Sequence, residues 1–109
     1  MADVSVPEVV VDLSGEIFTL TPGLGAAIGI NAKFGGIYVA GQQAQNGDIA
    51  AIATIIRYGA GLEKKAEADL VGKVFAAGVM TVSAKALEFI GLLMNGGQQP
   101  KGDVESGEA

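Results

Sequence analysis

Residues 21–29 read Thr-Pro-Gly-Leu-Gly-Ala-Ala-Ile-Gly and follow directly on the strand-like run Glu-Ile-Phe-Thr-Leu. A glycine-rich turn from a strand into a helix is where nucleotide-binding proteins hold phosphate, because free backbone N–H groups and the helix dipole converge there. The dinucleotide fingerprint needs G-x-G-x-x-G. Gly23 and Gly25 supply the first two positions, but position 28 is Ile, and the third glycine has slid to Gly29. Pro22 stiffens the turn, and no Gly-Lys-Ser or Gly-Lys-Thr of a Walker loop occurs in the chain. The stretch is better read as a helix start with a small-residue face. A small ligand-binding domain using the Thr21–Gly29 turn stands as an alternative.

Other chemistry has fewer residues to work with. The chain has no Cys and no His, which removes thiolate and imidazole nucleophiles, bases and metal ligands. Glu63, Glu67 and Asp69 cluster, but Lys64 and Lys65 sit among them, as in a solvated helix start. A working carboxylate pair needs a fixed separation in a cleft. Asp48 reads as an N-cap. Ser14 and Ser83 have no His partner, and Lys85 follows Ser83 at the wrong distance for an S-x-x-K pair. Arg57 and Tyr58 read as helix-end surface groups. These observations predict no catalytic residue, no cofactor and no metal, and hence a protein that is not an enzyme.

The elements that would carry these residues fit one domain. The chain has 109 residues, 50% of them hydrophobic, with a formal net charge of -5. The charge is concentrated at the ends. Residues 1–20 hold four acidic groups and no basic one, and residues 98–109 hold Lys101 against Asp103, Glu105 and Glu108. No basic face offers itself to a nucleic-acid backbone. No run reaches the roughly 18 apolar residues that span a membrane, and the first residues lack the pattern of a signal peptide. The expected location is cytoplasmic.

Residues 8–20 alternate as a β-hairpin turning at Ser14-Gly15. Ile17 competes with Phe18 and Leu20 for the buried face. Helices follow over 22–94. The first, capped by Thr21 with Pro22 at its first position, runs to Phe34 with a stripe of Leu24, Ile28, Ile30 and Phe34. The second covers 37–45. The third, capped by Asp48, buries Ile49, Ile52, Ala53, Ile55 and Ile56. The fourth, from Ala66 to Ala77, turns Leu70, Val71, Val74 and Phe75 inward, and the fifth runs from Ser83 to Met94. The expected fold class is α+β: an N-terminal hairpin followed by a small bundle of about five short helices, forming a single domain over 1–97, with residues 98–109 a disordered acidic tail.

What remains after the chemistry is surplus apolar surface. Ala26, Ala27 and the glycines leave one face of the first helix almost bare, and Phe89 and Leu92 lie off the stripe of the last helix. The expected interaction residues are Phe18, Leu20, Leu24, Ala27, Ile30, Phe34, Phe89 and Leu92. Homo-oligomerisation is the simplest use of such surface.

The order of phrases resembles the tail assembly chaperones of long-tailed phages and of phage-derived gene transfer agents, in the branch labelled gene-transfer-agent tail proteins. The resemblance spans about residues 9–97. It is carried by Gly15-Glu16-Ile17-Phe18-Thr19-Leu20, by Ile30-Asn31-Ala32-Lys33-Phe34-Gly35, and by Asn46-Gly47-Asp48-Ile49 through Ile55-Ile56-Arg57-Tyr58-Gly59. A closing helix follows between Gly78 and Gly97. The family's acidic residue before its Phe-Gly phrase is Asn31 here, and the first helix carries three glycines where relatives have larger residues. The resemblance implies a non-enzymatic protein that self-associates. It would bind the tape measure protein, help tail tube protein polymerise around it, and be absent from the mature particle. A structural tail or connector subunit retained in the particle is the alternative.

Overall fold

The computed structural model describes residues 7–98. It comprises β1 (Val9–Leu13), β2 (Glu16–Leu20), α1 (Leu24–Phe34), α2 (Ile37–Gln45), α3 (Ile49–Ala60), α4 (Ala66–Ala77) and α5 (Val79–Met94). The α+β expectation of a hairpin followed by five helices is met. The expected acidic tail falls almost wholly outside the described residues, as do residues 1–6 of the expected domain.

β1 and β2 pair antiparallel, with Val9 opposite Leu20, Val11 opposite Phe18 and Leu13 opposite Glu16. Ser14 (φ 57°) and Gly15 (φ 99°) both occupy the positive-φ region, as a tight two-residue turn that matches strand twist requires. Asp12 Oδ1 accepts from the Gly15 N–H at 2.7 Å and holds that turn. The competition for the inner face resolves toward Phe18 and Leu20. Val9, Val11, Leu13 and Leu20 are buried with Phe18 half-buried, while Val10 and Ile17 face outward.

A two-stranded sheet is marginal in water on its own, and here α3 lies under β2 while α4 and α5 lie under β1. The Thr21 N–H donates to the Gly59 carbonyl at 2.9 Å, joining the end of the hairpin to α3. Lys73 of α4 reaches Glu16 of β2 and Asp69 of its own helix, both at 2.7 Å. Hydrogen bonds from Lys73 to Asp69 and then to Glu16 raise its pKa above the ordinary lysine value. This latch is therefore complete below the unfolded lysine pKa and is lost as pH rises through the folded one.

α3 is the centre of the fold, packing against β2 and all four other helices. Asp48 caps it as expected, its Oδ1 accepting from the Ala51 N–H at 3.0 Å. Every residue from Ala51 to Ile56 is buried, so the helix is enclosed on all sides rather than along one stripe. Gly59 explains how β2 and α5 approach its last turn. A Cβ there would stand 2.9 Å from the Leu20 Cβ and 3.0 Å from the Phe89 ring.

Several expectations are corrected. α1 begins at Leu24, with Gly23 in the cap position and no side-chain cap. Thr21 is spent elsewhere, its hydroxyl donating to Glu8 Oε2 at 3.3 Å. Within α1 only Ile30 is fully buried. Leu24 and Ile28 are exposed, because the helix turns its small residues inward instead. Gly29 is the point of closest approach, since a Cβ there would fall 2.3 Å from the Tyr58 ring. Phe75 of α4 is likewise exposed, at 70%.

α5 starts at Val79, four residues before the expected Ser83. Gly78, at φ 107°, joins α4 directly to α5 with a bend of 119°. Ser83 is thus not a cap. It lies inside the helix and buried, its Oγ donating to the Ala44 carbonyl at 2.7 Å. Among the described residues no single helix is long and apolar enough to cross a membrane.

The Gly29–Tyr58 contact supplies a first prediction. Alanine normally improves a helix interior by about 1 kcal/mol over glycine. Gly29→Ala is nonetheless expected to lower the melting temperature, because the Tyr58 ring, which also carries the Arg57 guanidinium 4.0 Å from its centroid, must swing away. In a Tyr58→Ala background the same change is expected to be stabilising. Thermal melts of the four-member cycle measure that reversal of sign.

Candidate functional site

The clustered carboxylates are each paired with a cation in the fold. Glu63 stands 3.6 Å from Lys65, Asp69 holds Lys73, and Glu67 pairs with Arg57, so the three carboxylates do not form a working pair. Arg57 and Tyr58 are not the surface groups that their position at a helix end implied. Both are half-buried, with Arg57 reaching Glu67 and the Leu62 carbonyl. Among the described residues no group of three or more acidic side chains could hold a metal ion.

The turn at 21–29 forms a cleft of about 180 Å³, lined by Pro22, Gly23, Leu24 and Ala27 with Leu93, Gly96 and Gly97 of the opposing C-terminal turn. None of those residues is charged. Organic-ligand sites generally enclose about 300–1,000 Å³, so this cleft is short of a nucleotide in volume and in cations. The backbone turn that suggested phosphate is instead packed against the turn that follows α5: a Cβ on Gly97 would stand 2.6 Å from the Pro22 carbonyl oxygen.

The eight expected interaction residues divide into three groups. Leu20 and Ile30 are fully buried, Phe89 is 0% exposed and Leu92 is 4% exposed. These four are core residues and offer no surface to a partner in this fold. Phe89 was misplaced because α5 is surrounded: α2, α3, α4 and β1 all pack on it, so its apolar width is used internally. Phe18, Ala27 and Phe34 are half-buried at the edge of the core. Leu24 is 76% exposed and is the only one of the eight lying fully at the surface.

The exposed apolar residues that the sequence reading assigned elsewhere or passed over are Val10, Ile17, Ile28, Tyr38, Phe75, Met80 and Met94. Two pairs are contiguous by construction. Leu24 and Ile28 are one helical turn apart on α1 and share a face. Val10 and Ile17 are diagonal neighbours on the outer face of the hairpin, since Val10 stands opposite Thr19 and Ile17 opposite Asp12. A two-residue turn makes Leu13–Glu16, Val11–Phe18 and Val9–Leu20 the hydrogen-bonded pairs. The N–H and C=O groups of Val10, Asp12, Ile17 and Thr19 therefore point away from the ladder, and none of them meets another backbone group among the described residues. Strict alternation alone does not reveal these surfaces. The signal in the sequence was the surplus of apolar residues over the inner positions of the hairpin and of α1.

Comparison of the chain with protein-family models, with curated proteins and with solved structures gives no match in any of the three.

Proposed function

We propose that the chain is a non-enzymatic tail assembly chaperone of a long-tailed phage or gene transfer agent, acting in the cytoplasm of the producing bacterial cell. In this reading it self-associates, binds the tape measure protein, promotes assembly of the tail tube and is left out of the mature particle. The phrase order from Gly15 to Gly97 supports the reading. So does the α1 face on which Leu24, at 76%, and Ile28, at 59%, stand exposed side by side. Large side chains on a one-turn spacing give a partner helix an apolar seat. That pair is the observation on which the reading chiefly rests.

The test is co-expression of the chain with a tape measure protein and a tail tube protein from the same genome, followed by affinity capture. A stable complex is expected, and capture of neither tape measure nor tube protein counts heavily against the proposal. Leu24→Asp and Ile28→Asp are expected to reduce self-association in light scattering while leaving the monomer's melting temperature within a few degrees. An unchanged oligomer in both variants would remove the α1 face from the interface.

A structural tail or connector subunit is the second reading, favoured by the unpaired hairpin edges, onto which a neighbour's strand could add. Mass spectrometry of purified particles separates the two. A stoichiometric signal supports the connector, and its absence supports the chaperone.

A further inference from the structure

A groove of about 470 Å³ opens where the last turn of α1, α2 and the first turns of α3 and α4 meet. That volume falls within the range of organic-ligand sites, about 300–1,000 Å³. Its lining includes Phe34 and Val71, which are half-buried, and Thr54 of α3. Thr54 is 4% exposed. Its hydroxyl has no hydrogen-bond partner among the described residues, not even the carbonyl one turn back that a helical threonine commonly reaches. Ser83, the other buried hydroxyl, is fully served by the Ala44 carbonyl. A buried polar group without a partner is uncommon in native folds and calls for an explanation; a group that reaches it through the groove supplies one.

The remaining polar groups of the groove narrow what that partner is. Asp48 is engaged as the cap of α3, and Glu67 is engaged by Arg57. Lys33 is exposed and has no carboxylate partner among the described residues, and the Gln43 carboxamide has no hydrogen bond there. One free cation in a lining whose two carboxylates are already engaged matches a single acidic group. A polyanion such as a nucleic-acid strand would meet Asp48 and Glu67 as well as the net charge of -5. The Thr54 hydroxyl and the Gln43 carboxamide each donate and accept, as a main-chain amide requires of its partners. The groove is open to the surface rather than enclosed, so a chain longer than the groove can enter it without burying its ends.

We propose that this groove holds an extended peptide segment of a partner polypeptide, a main-chain amide meeting Thr54 and Gln43 and one acidic side chain meeting Lys33. The inference rests on the reading of this chain as a protein that holds another polypeptide, and it assigns the place and the chemistry.

The probes are a capped alanine hexapeptide with one central glutamate and its glutamine and lysine counterparts, titrated into the isotope-labelled full chain and followed by NMR. Saturable shifts are expected at Lys33, Gln43, Thr54 and Val71, with the glutamate peptide binding tightest by about two- to fivefold, the worth of an exposed ion pair. Lys33→Glu is expected to invert the order so that the lysine peptide binds best. Thr54→Val is expected to weaken all three peptides about tenfold while leaving the melting temperature unchanged or higher.

Four results would overturn the proposal. One is the lack of saturable shifts in the groove with all three peptides. The second is an order of affinity indifferent to the sign of the charge at position 33. The third is a fall in melting temperature for Thr54→Val, which would show that the hydroxyl serves the fold. The fourth is saturation of the same resonances by inorganic phosphate, which would make the groove an anion site. Capture of the tape measure protein by a chain that binds none of the peptides counts against the groove alone, and leaves the chaperone reading standing.

Discussion

Ile56→Asp is expected to abolish the cooperative unfolding transition of this protein. Ile56 is 0% exposed, on the α3 turn where Ile52 and Ile55 are equally enclosed. The Arg57 guanidinium beside it on the helix is already engaged by Glu67, and Lys73 by Glu16 and Asp69. A carboxylate at position 56 would be buried among apolar side chains, and the cost of an uncompensated charge there is large. A natural domain holds only about 5–15 kcal/mol in reserve, and a chain of this size buries a smaller share of its surface than a larger one. The protein would either remain unfolded or fold only with the aspartate protonated. Circular dichroism melts at neutral pH check this, with Tyr38→Asp, 65% exposed in the first turn of α2 where an acidic group suits the helix dipole, as the control expected to melt like wild type. A native melting temperature in Ile56→Asp would mean that α3 is not the central helix.

Phe89→Ala is expected to cost about 3–5 kcal/mol of folding stability, as full removal of a buried aromatic ring does. Phe89 fills the space that Gly59 leaves on α3. The ring lies so close to Gly59 that a Cβ there would be 3.0 Å from it, and Leu20 closes the third side. Removing the ring leaves a void bounded by α3, α5 and β2, where the Thr21–Gly59 hydrogen bond already fixes the spacing of β2 and α3. Urea titration should show a lowered midpoint with an unchanged slope, the signature of lost stability rather than altered compactness. This measurement also separates two roles for the residue. If Phe89 served a partner interface, its truncation would spare the monomer and weaken assembly. A loss under about 1 kcal/mol with weakened assembly would return it to the surface.

The two variants and the α1 pair make complementary statements about function. Phe89, Leu92 and Leu93 of α5 are consumed by the fold, with only Met80 and Met94 at its two ends exposed, whereas Leu24 and Ile28 of α1 stay outside. A partner surface on this molecule is therefore sought at Leu24, Ile28 and the outer hairpin face, rather than along the middle of the last helix.

How much of this was legible beforehand depends on whether the information was local. The hairpin and its turn were readable, because two strands of alternating residues around Ser14-Gly15 admit one tight turn, and a register slip would move every side chain to the other face. The cap of α3 by Asp48 was readable because it lies three residues from the N–H it accepts. The helix ends at Gly35, Gly61 and Gly78 were readable because each takes a positive φ that other residues resist.

What the chain could not announce locally was which apolar residue faces which neighbour. The identity of the inward face of α1 was set by Tyr58, some 30 positions later in the sequence. Its ring occupies the space above Gly29 and leaves Leu24 and Ile28 outside. The start of α5 was misplaced because Thr81 and Ser83 resemble caps, whereas the 119° bend at Gly78 begins the helix without one and frees Ser83 to bond α2. The groove around Thr54 was likewise invisible, since its residues come from four helices brought together only by packing. Composition, periodicity and glycine placement determined the elements and the scarcity of catalytic groups by themselves. Tertiary structure alone decided which greasy side chains became core and which stayed available, because burial belongs to pairs of distant surfaces and not to any one segment.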